Sequence, residues 1–192
     1  MINRAKHMVS KKSLKRLYFA MIHPHILYCL PIYSNTSPKN IDKIFKKQKQ
    51  SIRIINNAKF NAHTEPLFYS CNILPLKELI TEQKLILLHP IMHNYSKNDL
   101  EFHKLSNVQI HNYPLRNSHD FHVPRTLNTK LSKMPFFDLP KVWNTIDEEL
   151  KKIAIKKTFK SQSMSLAMDK YANFRCYNLI CYSCLTHNLN QT

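Results

Sequence analysis

Not one of the 192 residues is glycine, whereas average usage is roughly 7%. A chain without glycine lacks the residue that enters left-handed backbone at least cost, so its helix ends must stop on Asn or another substitute. The Gly-rich turns that wrap nucleotide phosphates are excluded outright, and no P-loop or dinucleotide-binding fingerprint exists here. Abundant Asn, Lys, Ile, Phe and Tyr accompany the missing glycine, the pattern of a coding sequence drifted toward A and T. Helices joined by short polar stops are the economical way to fold such a sequence.

The length allows one ordinary domain or two small ones, and 43% apolar residues can support a packed core. Charge is more decisive. Lys and Arg number 29 against 12 Asp and Glu, a formal +17 with a pI near 9.8, which favours a polyanionic partner, nucleic acid foremost. Thirteen of those cations and a single acid, Asp42, lie within residues 1–62. The five cysteines, at 29, 71, 176, 181 and 184, are odd in number and cluster toward one end. That usage fits reduced thiols in an intracellular compartment, cytoplasmic or nuclear, better than a disulfide framework. Residues 1–16 carry no apolar run of a signal peptide, and His23, Pro24 and His25 break the stretch from Leu17 to Tyr33, which argues against a membrane span.

Periodicity predicts a mainly α fold of helical hairpins or a small bundle. From Lys11 to about His23, Leu14, Leu17, Tyr18 and Met21 share a face, Ser10 or Ser13 can cap the start, and Pro24 should kink or end the helix. Residues 26–34 are core, as a short helix or as an extended segment. The clearest element runs from Pro38, behind an N-cap at Ser37, to about Asn57. On it Ile41, Ile44, Phe45, Gln48, Ile52 and Ile55 occupy one arc, and Lys39, Lys43, Lys46, Lys47, Lys49 and Arg53 take the other side. Leu76, Leu79, Ile80, Gln83 and Leu87 mark a further helix, forming a hairpin with the first and broken or bent at Pro90. Residues 96–133 read as a long polar linker. Beyond it Leu139, Val142, Trp143, Ile146 and Leu150 suggest one short helix, and Phe159, Met164, Leu166 and Met168 another. The expected organisation is a basic helical region at 1–95, the linker at 96–133, a small helical segment at 134–175 and a Cys-containing tail at 176–192.

Chemistry is scarce. No Asp-Asp dipeptide occurs, so the paired carboxylates that hold two metals in polymerases are missing, and no acidic pair stands out as general acid and base. Neither His63 beside Thr64, nor His111, His119 and His122 near Asp120, nor Cys71 forms a local catalytic signature. Tyr18, Phe19, Tyr28 and Tyr33 sit at helical spacing among Leu and Ile, the pattern of core residues and not of base-stacking platforms. Two constellations stay as candidates. Lys39, Lys43, Lys46, Lys47, Lys49 and Arg53 form a cationic strip that would otherwise be a solvated helix face, and the one-sided charge favours phosphate contacts. Cys176, Cys181, Cys184 and His187 place four soft ligands within twelve residues, a set able to hold zinc, although the spacing is not that of a zinc knuckle and free thiols are the simpler reading. No cofactor is required by anything else in the chain.

Three segments carry a resemblance. Leu14 to Tyr28 resembles a Leu-Tyr…Ile-x-Pro-x-Leu-x-Tyr run, Gln48 to Ile55 a Gln-Lys-x-x-Ile-Arg-Ile-Ile run, and His63 to Phe68 a His-Thr-x-Pro-Leu-Phe turn. They occur in that order downstream of the polymerase palm in jockey-type non-LTR retrotransposon reverse transcriptases. Later landmarks at Ile73 to Ile80, Pro124 to Thr126 and Leu139 to Asn144 are similar too, so the likeness covers nearly the full chain and is weakest after residue 150. The resemblance implies the thumb and post-polymerase region, which holds template and primer while the upstream palm carries the catalytic carboxylates. The chain alone would then be no enzyme, and it would bind the backbone of an RNA–DNA or DNA duplex. Tyr33-Ser34 stands where the family has Trp-Gly, Pro90 interrupts a helix that is continuous there, and palm and endonuclease are missing, as in a truncated or decaying copy. The alternative function is a helical protein-interaction module whose basic surface serves solubility.

Overall fold

A computed structural model describes residues 4, 6–93 and 120–172. The described residues are mainly helical and contain no β-strand, as the periodicity predicts. Nine α-helices are defined among them: α1 (Lys11–Leu17), α2 (His23–Leu27), α3 (Leu30–Tyr33), α4 (Pro38–Ile55), α5 (Glu65–Cys71), α6 (Leu76–Met92), α7 (Pro135–Asn144), α8 (Glu148–Lys151) and α9 (Lys156–Ala172). Among the described residues, the three with positive φ are Cys29, Asn57 and Asn72. Two of the three are Asn closing α4 and α5, the substitution forced by the missing glycine.

Ser10 caps α1, its hydroxyl accepting the Ser13 amide at 3.3 Å. The single helix expected to reach His23 instead widens into one π-turn over Tyr18–Ile22, where the His23 amide bonds back to the Tyr18 carbonyl. Pro24 supplies no amide to a tighter ladder, and it then sits in the first turn of α2, where that amide is not needed. The extra residue in the π-turn rotates the helical segments beyond it. Met21, expected on the core face, is exposed, while Tyr18, Ile26 and Leu30 are buried. The 26–34 segment holds the end of α2 and all of α3 on either side of a break at Tyr28 and Cys29. Tyr28 and Ile32 are exposed and not core, and the Tyr33 hydroxyl donates to the Ile26 carbonyl across the break.

Contacts divide the chain into two compact units, one of residues up to Ile80 with those from Met164 onward, the other Thr81–Ser163. In the first unit Leu14 and Tyr18 pack with Ile52 and Ile55 of α4 and with Leu67, Phe68 and Cys71 of α5. A neighbouring cluster joins Ile26, Leu30, Leu74, Leu76, Leu79 and Met168, with Ile41, Ile44 and Phe45 of α4 against it. The apolar arc of α4 is thus the spine of this unit. Ser37 does occupy the N-cap, although its side chain makes no capping bond, and the helix ends at Ile55, two residues before Asn57.

In the second unit Leu85 and Leu88 of α6 pack with Phe121, Leu139, Trp143, Leu150 and Phe159. Lys84 pairs with Asp138 at 2.6 Å, and Lys151 with Asp120 and Glu148 at 2.9 Å each. These boundaries differ from those expected at residues 95 and 133. The unit changes within the continuous helix α6, where no compositional break signals it. One residue of the expected linker is also built into the core. Phe121 is buried, and the Asn144 side-chain amide clasps its backbone from both sides, accepting its amide at 2.9 Å and donating to its carbonyl at 3.0 Å. The linker through residue 119 lies outside the described residues.

Of the two outcomes expected at Pro90, a break does not occur, since Pro90 lies inside α6 and does not end it. Pro90 falls in the last turn, so only one ladder bond is forfeited. Leu87 is 48% exposed, and Leu85 and Leu88 face the core in its place. Leu166, grouped by sequence with the core of α9, is likewise exposed, while Phe159 and Met168 are buried.

Candidate nucleic-acid interface

The cationic strip is built by α4. Its apolar arc is anchored at Gln48, which is fully buried and makes three bonds. Nε2 donates to the Tyr18 hydroxyl at 3.1 Å and to the Leu74 carbonyl at 3.0 Å, while Oε1 accepts the Leu76 amide at 2.8 Å. This amide fixes the rotation of α4 about its axis, and with it the direction of the opposite flank. Burial pushes the Tyr18 hydroxyl pKa up, against the opposing pull of the Gln48 bond.

The six expected phosphate ligands fall into two groups. Lys39, Lys43, Lys46 and Lys47 are exposed, and no carboxylate among the described residues pairs with them. From Lys39 to Lys47 the helix rises about 12 Å, the axial rise of three to four nucleotides at about 3.4 Å per strand step. Lys49 and Arg53 are half-buried and already engaged. The Lys49 ammonium lies 4.4 Å from the centroid of the Phe45 ring, a cation–π contact. Arg53 Nε donates to the Ala62 carbonyl at 2.9 Å. Sequence periodicity grouped Arg53 with the rest because it sees the helix face and not the loop that folds back onto its end.

Helix α1 packs on α4 and brings Lys11, Lys12 and Arg16, all exposed, to the same unit. Lys15 lies 5.9 Å from the centroid of Phe19. Of the aromatics read as core, Tyr18 is buried, whereas Phe19 and Tyr28 are exposed. One aromatic that periodicity passed over, Phe60, is 88% exposed at the turn after α4.

Catalytic constellations do not assemble among the described residues. His63 Nδ1 stands 3.8 Å from Glu65 Oε2 at the surface. Cys71 is buried in the first core with the Asn56 amide 3.1 Å from its sulfur. Asp120 is taken by Lys151, and His111 and His119 lie outside the described residues, as do Cys176, Cys181, Cys184 and His187. No group of three or more His, Cys, Asp or Glu among the described residues is placed to hold a metal ion. No helix among them is long and apolar enough to cross a membrane.

No protein-family model, curated protein or solved structure matches the chain.

Proposed function

We propose that the chain binds the phosphate backbone of an RNA–DNA or DNA duplex, as the non-catalytic C-terminal part of a retrotransposon RNA-directed DNA polymerase whose palm is a separate, upstream element. The single observation that carries this reading is the row of exposed lysines on α4, none of them in an ion pair among the described residues, while the opposite flank of the same helix is locked by Gln48. A row of point charges at this spacing positions a backbone and reads no bases. The order of the motifs from Leu14 to Phe68 supplies the polymerase context.

The test is fluorescence anisotropy with a labelled RNA–DNA duplex over a series of salt concentrations. Four phosphate contacts give a log–log slope between about −3 and −4. The triple variant Lys43→Glu, Lys46→Glu, Lys47→Glu should reduce the slope by about 0.9 for each contact removed and leave the thermal midpoint nearly unchanged. Affinity no better than that of an unrelated protein of equal charge defeats the proposal in favour of a helical protein-interaction module. Nucleotide incorporation is expected to be absent in either case. Zinc at Cys176, Cys181, Cys184 and His187 is a separate proposal resting on their spacing alone, and sub-stoichiometric zinc in the purified protein removes it.

A further inference from the structure

The loop between α4 and α5 presents an aromatic ring in a way that a solvated linker does not. Asn57 takes left-handed backbone with φ of 48° and turns the chain out of α4. The Ala58 amide then bonds the Arg53 carbonyl at 2.9 Å. A tight turn comes next, closed by the Ala62 amide on the Lys59 carbonyl at 3.0 Å. The far side of the turn is fastened twice. Ala62 is buried, and its carbonyl receives Arg53 Nε at 2.9 Å. Thr64 is buried too, and its amide donates to Glu65 Oε2 at 3.1 Å. Phe60, second residue of the turn, stands at its tip and makes no ring contact among the described residues.

A rigidly tethered, almost fully exposed Phe does not contribute to the core, and its flanks decide what could cover it. The Arg53 guanidinium that pins the turn uses only Nε among the described residues, which leaves its two Nη groups as donors. The same helix carries Lys46 and Lys47 outward, exposed. An apolar ring two residues from the carbonyl that Arg53 holds, on a unit rich in exposed cations, has the chemistry of a stacking platform, because every base offers a π-face and an attached anion.

We propose that Phe60 stacks on an unpaired base of the bound nucleic acid, so that the surface takes a duplex with a single-stranded extension in preference to a blunt one. This rests on the nucleic-acid reading above. The turn at 59–62 follows the C-terminal end of the cationic helix and is pinned to Arg53, so a strand that runs from Lys39 past Lys47 toward Arg53 would meet the ring beyond the last paired base.

The experiment titrates the full chain against a blunt RNA–DNA duplex and the same duplex with a short unpaired extension, using wild type, Phe60→Ala and Phe60→Trp. Phe60→Ala should weaken binding of the extended duplex by about five- to a hundredfold and leave the blunt duplex and the salt slope unchanged. Phe60→Trp should restore affinity, with added indole emission quenched by the extended duplex only. Circular dichroism melts should overlay, since the side chain is exposed. Equal affinity of wild type and Phe60→Ala for both substrates, with salt-sensitive binding intact, overturns the stacking assignment alone and leaves the turn to a protein partner. Equal weakening on both substrates overturns it as well. Failure of wild type to bind either substrate overturns this proposal together with the reading beneath it.

Discussion

Gln48 Nε2 and the Tyr18 hydroxyl meet at 3.1 Å where both side chains are fully buried. The bond ties α4 to the π-turn, and the other two bonds of the same amide tie α4 to the approach to α6. One side chain therefore orients three pieces of backbone.

Gln48→Leu preserves the volume and strips the partners from Leu74, Leu76 and Tyr18. A buried polar group left without a bond costs about 1–3 kcal/mol, so a loss of about 3 kcal/mol or more is expected in urea unfolding. Tyr18→Phe removes one acceptor while Nε2 keeps Leu74, and a loss of about 1 kcal/mol is expected. A Gln48→Leu variant as stable as wild type would show that the network carries no stability.

Lys84 is buried, with its ammonium 2.6 Å from the Asp138 carboxylate, which keeps some exposure. Removing the carboxylate takes from Lys84 its ion pair while the ammonium stays in the interior. Asp138→Ala should cost about 3 kcal/mol, at the lower end of the range for broken buried pairs because Asp138 is partly solvated. Lys84→Met combined with Asp138→Leu should recover most of that loss in the same unfolding assay.

Two groups of the second unit titrate in opposite senses. Burial lowers the His93 pKa, helped by His89 with ring centroids 4.6 Å apart and opposed by a bond to the Lys151 backbone. The folded state then binds fewer protons than the unfolded state, so stability falls as pH drops below about 6.5, the ordinary His value. Burial raises the Glu82 pKa, against the pull of Lys160. Here the folded state binds more protons, and stability falls as pH rises from about 4.3, the ordinary Glu value, through the raised one. His93→Gln should flatten the acid limb below about pH 6.5. Glu82→Gln should stabilise near pH 7 and converge with wild type below about pH 4. Chemical unfolding at a series of pH values reads both, and the same slope in variant and wild type defeats the corresponding assignment.

Cys29 holds φ of 52° without being glycine, and it is exposed, so its side chain packs little. Left-handed backbone costs a residue with a Cβ about 1–2 kcal/mol. Cys29→Gly should therefore raise stability by up to about 1 kcal/mol after the entropy of a freer unfolded chain is deducted. Cys29→Ala keeps the Cβ and should change little. Equal stability of the Gly and Ala variants would rule out backbone strain at this site.

The fold class and the axis of α4 were legible because a period of 3.6 residues over eighteen positions leaves few alternatives. Asn57 and Asn72 were legible in kind, since helix ends without glycine need such residues. The features that escaped are those set by contacts distant in sequence. A π-turn at Tyr18–Ile22 breaks the 3.6-residue period that placed Met21 on the core face, and Met21 is exposed. Gln48 looked like one more residue on an apolar arc, and only the position of Leu74 and Leu76 reveals why it is an amide. Phe121 lay in a polar stretch, and its burial depends on Asn144, twenty-three residues later. The six cations appeared equivalent because periodicity cannot show that Ala62, in the loop beyond the helix, occupies Arg53, although Phe45, one turn before Lys49, was within its reach.

Lys39, Lys43 and Lys47 succeed one another at intervals of four residues, and Lys46 and Lys49 at three, so α4 repels itself along its outer flank by a few tenths of a kcal/mol per pair. Dissolved ions quiet that repulsion. Added sodium chloride should thus toughen the free chain against heat while loosening its hold on any polyanion, two trends of opposite direction from the same ammonium groups. A strand laid along this flank would do what the salt does, and more locally. Loading and folding would then reinforce each other, and the complex would melt later than the protein by itself.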